Sequence, residues 1–296
     1  MRSASLNLQD ADAVVAALEA GAEANRAASC RDGSIDRVEA PGRLIATGDL
    51  HDNPIHFQRL VEVAGLTPDA PDADRRHLTL HEVIHSDRLM NGMDFSYRAL
   101  TRVAALKADF PEHVHTLLAN HELSQIVGAG IIKDGVRVVE AFNDAVAYAF
   151  ENDADRVNAA IETFVRSMPL ALRCVTPRGD VLCAHSVPGL TAMNRFDATV
   201  LSRSLTDEDY EPRRGSAYLM VWGRGYDDEQ LEDLVERWGV NLFILGHEHA
   251  PSGVTLVPPN AIVLNSDHER GVYLPIDLDA LPSASEALAG VVPLQG

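Results

Sequence analysis

Seven side chains that can bind a metal ion stand at or just past the ends of short apolar runs: Asp49, His51, Glu82, Asn120, His185, His247 and His249. Asp49 and His51 close the stretch LIATGDLHDN over 44–53, where an apolar run stops at Gly48. Residues two apart at a strand mouth point the same way, as a pair of ligands must. A lone Asp-x-His is equally at home in a solvated surface turn, but here the design recurs. One run ends in Glu82 and His85, the string LLANHEL carries Asn120, His121 and Glu122, VLCAHS ends in His185, and a last run opens into Gly246-His247-Glu248-His249. Carboxylate, imidazole and amide oxygen suit Mn, Fe or Zn better than calcium, which prefers an all-oxygen shell. Cys30, Cys174 and Cys183 are wrongly placed for a thiolate site. These donors suffice for two divalent ions bridged by one carboxylate, an arrangement suited to in-line displacement at phosphorus.

Strands must deliver these groups, and helices must return the chain between strands. Residues 8–29 are alanine-rich with Val14, Val15 and Leu18 on one side, which predicts a helix packed outside the first strand. Phe57, Leu60, Val61 and Ala64 recur at helical spacing, and Gly65 follows as a stop. The run 78–84 predicts a second strand, 96–109 a helix with Leu100, Val103 and Leu106 inward, and 114–119 a third strand. Two helices are expected within 134–167 as scaffold or lid. LALRCVT and VLCAHS, joined by Pro177-Arg178-Gly179-Asp180, read as a hairpin. Leu231, Leu234, Val235 and Trp238 before Gly239 predict a further helix, 242–245 a buried strand, and 252–278 antiparallel strands. Such alternation predicts an α/β fold with functional residues in loops at strand ends.

The chain of 296 residues, 46% hydrophobic, can bury a large core. No Pro/Gly/Ser-rich or charged linker divides it, so one domain is expected over 1–278, with a helical insertion at 130–168 and an irregular cap at 189–226 over a cleft. Residues 279–296 read as a mobile tail. Lys plus Arg number 25 against 44 Asp plus Glu, and the formal charge of -19 repels polyphosphate backbones, which argues against nucleic acid as a general partner. Three cysteines at this size read as reduced residues of a cytoplasmic protein. No apolar run reaches the length of a membrane span, so no membrane partner is expected.

In this order the motifs resemble those of the calcineurin-like metallophosphoesterases, nearest the phosphoprotein phosphatase branch. That family runs GDxHG, GDxxDRG, GNHE, a single His after a strand, and a terminal GHxH or GH. Gly48-Asp49-Leu50-His51, Asn120-His121-Glu122 after Ala119, Ala184-His185, and Gly246-His247-Glu248-His249 follow the first, third, fourth and fifth. The resemblance implies a four-layer sandwich, two central mixed β-sheets with helices outside, around a dinuclear metal centre. It assigns Asp49, His51 and His249 to one ion and Asn120, His185 and His247 to the other.

The second motif departs from the family. Leu80-His81-Glu82-Val83-Ile84-His85 puts Glu82 where the family has a bridging Asp and His85 where it has a second Asp. The arginine that should follow is Ser86, which leaves Arg88 and Arg224 to hold phosphate oxygens as bidentate forks. His85 and Glu122 are expected just behind the ligands. The function implied is hydrolysis of phosphate monoesters, on phosphorylated small molecules or phosphoproteins, by a metal-bridging hydroxide, with His121 protonating the leaving oxygen. The same ligands would serve a phosphodiesterase or nucleotide pyrophosphohydrolase, and the altered second motif would also suit a non-catalytic metal-binding module.

Overall fold

The computed structural model describes residues 6–133 and 135–295. Asp10 caps α1 (Ala11–Ala27) by accepting from the Asp12 amide, and Val14, Leu18 and Ala22 form its buried stripe. Then come β1 (Arg31–Asp32), β2 (Ile35–Glu39) and β3 (Arg43–Thr47), the last delivering Asp49 and His51. Asn53 caps α2 (Pro54–Val63), which starts on Pro54 as its fixed φ favours. β4 (His77–Leu80) and α3 (Tyr97–Asp109) lead to β5 (Val114–Thr116) and α4 (Asn120–Val127).

A small hairpin, β6 (Ile132–Lys133) with β7 (Val136–Arg137), precedes α5 (Val138–Phe150) and α6 (Ala154–Val165). β8 (Ala171–Val175) and β9 (Asp180–Ala184) are the antiparallel hairpin the turn residues predicted. Residues 189–226 hold short 3₁₀ turns and α7 (Ser216–Val221). α8 (Asp228–Trp238), capped by Asp227 and stopped at Gly239, feeds β10 (Val240–Leu245). β11 (Val254–Val257), β12 (Ala261–Leu264), β13 (Val272–Asp277), α9 (Ala284–Ala289) and β14 (Val292–Pro293) complete the described chain.

Two mixed sheets result, ordered β1-β2-β8-β9-β10-β12-β11 and β14-β13-β3-β4-β5. Alternation along the strands builds the layers. Leu44 and Ala46 of β3, Leu242 and Ile244 of β10, and Leu172 and Cys174 of β8 share one buried cluster between the sheets. Their neighbours Ile45, Phe243 and Leu245 pack instead with helix residues such as Leu18, Leu100, Leu231 and Leu234. Side chains of period two therefore make two cores, and helices cover the outer one.

Three expectations need correction. The second and third strands are shorter than their apolar runs. β4 stops at Leu80 because Glu82 and His85 adopt left-handed backbone, with φ of 47° and 60°, which no strand accommodates. The third run gives way to α4 at Asn120, a helix too short to show clear periodicity, though Gly128 at φ 64° marks its end. The expected mobile tail instead contains α9, with a Ser283–Glu286 capping box, and β14, which pairs with β13. α1 packs mainly on α3 and α6 rather than on a strand.

Candidate metal centre

Strand ends of both sheets meet at the site. β3, β4 and β5 lie parallel and supply Asp49, Glu82 and Asn120, while the parallel pair β9 and β10 supplies His185 and His247. Two glycines permit this approach. A Cβ on Gly48 would stand 1.9 Å from the Leu264 carbonyl oxygen, and one on Gly246 would stand 2.2 Å from Asp49 Oδ1. Backbone bonds then lash the loops together: the Leu50 and His51 amides donate to the Glu82 carbonyl, and the Asp52 amide to that of Val83. Glu122 Oε1 accepts from the Val83 amide at 2.7 Å and the Ile84 amide at 3.3 Å, so this predicted supporting residue holds the Glu82 loop from behind. His51, Glu82 and His247 all have positive φ, between 42° and 65°. Left-handed backbone in non-glycine residues is strained by about 1–3 kcal/mol each and concentrates at functional sites.

Glu82 is the centre of the arrangement. Its Oε1 lies 2.8 Å from His51 Nε2 and 3.8 Å from His121 Nε2, and its Oε2 lies 2.8 Å from His185 Nε2. His185 Nε2 is also 2.7 Å from Asn120 Oδ1 and 3.0 Å from His247 Nδ1. One ring nitrogen carries at most one hydrogen, so it cannot donate to all three neighbours. Glu82 Oε2 is buried and faces His185 Nε2 at 2.8 Å. Donors about 2.1 Å from a divalent cation stand about 3 Å from one another, so these four atoms fit the shell of one ion. His51 Nδ1 is occupied by the Ile84 carbonyl at 3.1 Å, which leaves Nε2 free toward Glu82.

The remaining expected residues are placed as follows. Asp49 accepts the His247 amide with both oxygens, each at 3.1 Å, and its Oδ1 is 3.5 Å from His185 Nδ1. His249 lines the same cavity but is exposed, and it belongs to none of the close donor groups found among the described residues. His121 and His85 are buried with their Nδ1 atoms 3.0 Å apart, and His85 Nε2 lies 3.0 Å from Gln125 Oε1. Arg224 lines the cavity, with Nη2 3.3 Å from His247 Nδ1. Arg88 does not line it: this guanidinium donates to the His51 carbonyl at 2.8 Å and to Asp267 Oδ1 at 2.6 Å.

Sequence reasoning missed His81 and Lys133. His81 takes the place of a glycine in the second motif, bonds the Thr47 carbonyl through Nε2 at 2.9 Å, and sets Nδ1 3.2 Å from His185 Nδ1. Its signal was present as a histidine beside a probable ligand. Lys133 reaches the cavity from the β6–β7 hairpin, and nothing in that segment of sequence pointed there.

Electrostatics follow from burial and the carboxylate pair. Burial opposes charge on His51 and His185, but Glu82 outweighs it and lifts them to about 9 and about 10. Burial alone would raise Glu82, and the surrounding histidines instead hold its carboxyl well below the usual range. For Asp49, burial and the Glu82 charge are overcome by His185, again leaving the carboxylate favoured. Burial, together with neighbouring cationic groups, pushes His121 and His247 down to about 3, and burial takes His85 to about 4. Burial and the Glu82 charge raise Glu122 to about 7.

The arrangement brings carboxylate oxygens and imidazole nitrogens together around one cavity of about 390 Å³. Comparison with known proteins agrees with it. The family model for calcineurin-like phosphoesterases matches residues 42–251. Among solved structures, the fold is similar to a protein serine/threonine phosphatase from Saccharomyces cerevisiae, with TM-score 0.66 and 15% identity over 90% of this chain and 83% of that one. It is also similar to the cold-active protein-tyrosine phosphatase of a psychrophilic Shewanella species, with TM-score 0.59 and 14% identity over 88% of this chain and 82% of that one. No curated protein matches the chain by sequence. The motifs, the two sheets and the family match agree, and the chain belongs to the calcineurin-like phosphoesterases, a family of metal-dependent enzymes.

Proposed function

We propose that the chain hydrolyses phosphate monoesters at a centre of two divalent metal ions, Mn, Fe or Zn, that share Glu82. The observation that carries this reading is the split of the Glu82 carboxylate, with Oε1 toward His51 and Oε2 toward His185, each at 2.8 Å. Asn120, His185 and His247 would hold the ion on the Oε2 side. His51, with Asp49, would hold the other, and His249 remains available at the cavity wall. When bound, the two cations would acidify a water and neutralise charge on the phosphoryl oxygens.

This chain's own residues do the rest. Arg224 and Lys133 line the same cavity, paired with Glu248 at 3.6 Å and Asp87 at 3.0 Å, and their remaining N–H donors would suit the dianionic phosphoryl group of a monoester. His121, 3.8 Å from Glu82, would deliver a proton to the leaving oxygen, and His85 behind it fixes the ring. The substrate class is a phosphorylated small molecule or phosphoprotein. Among the described residues no helix is long and apolar enough to cross a membrane. Three free cysteines support a cytoplasmic setting.

The test is metal analysis of purified protein, followed by turnover of p-nitrophenyl phosphate and bis(p-nitrophenyl) phosphate with each metal added back. About two ions per chain and faster monoester cleavage are expected. Faster diester cleavage would overturn the monoester reading, and one ion per active chain would overturn the dinuclear one.

A further inference from the structure

A second cavity of about 410 Å³ adjoins the metal cavity, and Trp222 and Arg224 line both. Arg195, Arg213 and Arg224 line it, and no carboxylate does. That is unexpected on a chain where acidic residues outnumber basic ones by 44 to 25. Several arginines among the described residues pair with a carboxylate, as Arg203 does at 2.6 Å from Asp209. Arg195 donates instead to the Arg213 carbonyl at 3.2 Å, and neither it nor Arg213 pairs with a carboxylate among the described residues. Arg213 also holds a left-handed backbone, with φ 66°. On the shared wall, Trp222 stacks on Tyr218 with ring centroids 5.7 Å apart, and its buried indole Nε1 has no acceptor. Arg224 is paired with Glu248 at 3.6 Å, but the two unpaired guanidinium groups of Arg195 and Arg213 beside it offer more donors than one carboxylate can accept. A phosphoryl group, with three acceptor oxygens and up to two charges, fits them.

The geometry points to this groove as a subsite for a second phosphoryl group, carried by a small substrate that reaches from the metal cavity past Trp222. The inference rests on the phosphomonoesterase reading and deepens it: the substrate class is a bisphosphorylated small molecule, cleaved at one ester while the other phosphate sits among Arg195, Arg213 and Arg224. Arg224, at the junction of the two cavities, touches both phosphates in turn.

The test uses linear diol bisphosphates of increasing chain length against the matching hydroxyalkyl monophosphates, with the metal-loaded full chain. At one or more lengths kcat/KM for the bisphosphate should exceed that of the monophosphate by about tenfold, the effect of one charge-assisted contact. In an Arg195→Gln, Arg213→Asn double variant that ratio should fall to about one; asparagine is chosen because it tolerates positive φ. A readout apart from turnover comes from tryptophan fluorescence of chelator-treated protein. Of the two tryptophans, Trp238 is packed against Phe196 and Phe243, so a saturable change on adding bisphosphate reports Trp222. That change should be lost in the double variant. No preferred length, or a preference or fluorescence change that survives in the variant, would overturn the subsite. Monophosphate turnover reports separately on the metal site, so failure of the subsite and failure of the hydrolase reading are distinguishable.

Discussion

Glu82 is one methylene longer than an aspartate, and its backbone is left-handed at φ 47°. If each carboxylate oxygen serves one ion, Glu82→Gln should lower occupancy of both, to well under half, when metal per chain is measured by elemental analysis. His247→Ala should empty chiefly the ion on the Oε2 side. A Glu82→Gln protein with full metal content would overturn the bridge. The acid side of the site carries a second residue-level expectation. His121 is backed by His85 and Gln125, and burial holds it down to about 3 although Glu82, 3.8 Å away, favours its charged form. Alkyl esters need a proton on the leaving oxygen and p-nitrophenyl phosphate does not. His121→Ala should therefore lower kcat/KM for phosphoserine by about tenfold or more while p-nitrophenyl phosphate changes by only a few-fold. Equal losses on both would sink the assignment of His121 as the acid. At this scale the sequence was legible wherever donor types recur at strand ends, as with Asp49, His51, Glu82, Asn120, His185 and His247. It could not show that His249 is exposed or that His81 steadies His185, because both depend on which way a loop side chain turns.

At the level of elements, the site exists because two sheets are brought together at Gly48 and Gly246. A methyl on Gly48 would sit 1.9 Å from the Leu264 carbonyl oxygen, which is backbone and cannot swing aside. Gly48→Ala should force β3 away from β12 and destabilise the protein by about 1–3 kcal/mol, in the range of overpacked interiors. Urea unfolding of the metal-free protein would measure it, and an unchanged midpoint would show that the sheets separate at no cost. Helix positions were readable because their signals are local: Asp227 and Gly239 bracket α8, and Asn53 with Pro54 opens α2. Strand ends were not. The apolar run 78–84 continues past Leu80, but the Val83 and Ile84 amides are pinned to Glu122 of α4, a contact 39 and 38 residues distant in sequence. Likewise β14 is a strand only because β13 offers it an edge, and a two-residue strand leaves no pattern to read.

Across the whole molecule, stability should depend on pH through a buried cluster in the β2, β4 and β5 region, outside the metal cavity. His115 Nδ1 donates to Asp36 Oδ2 at 2.7 Å, and His77 Nδ1 lies 3.1 Å from His115 Nε2. Arg31 Nε adds a contact of 2.8 Å to Asp36. Burial, with the neighbouring His115 and His113, pushes His77 down to about 3, and burial lowers His115 as well. Burial opposes charge on Asp36, yet the His115 hydrogen bond and the Arg31 charge keep its carboxyl below the usual range. The sign follows from proton counting. Between about pH 6.5 and 3 the unfolded chain protonates His77 and the folded chain does not, so stability falls as pH falls across that window. Asp36 acts in the same direction only below about pH 4, as its carboxylate is lost. The metal-free centre opposes this trend, because His51 and His185 are lifted to about 9 and about 10 and favour folding at lower pH. A single-site comparison removes that opposing contribution. In chelator-treated protein, moving from about pH 7.5 to about pH 5 should destabilise the wild type by roughly 1–2 kcal/mol more than His77→Gln. Urea midpoints at the two pH values decide it, and parallel losses in both proteins would show that His77 is freely protonated in the fold.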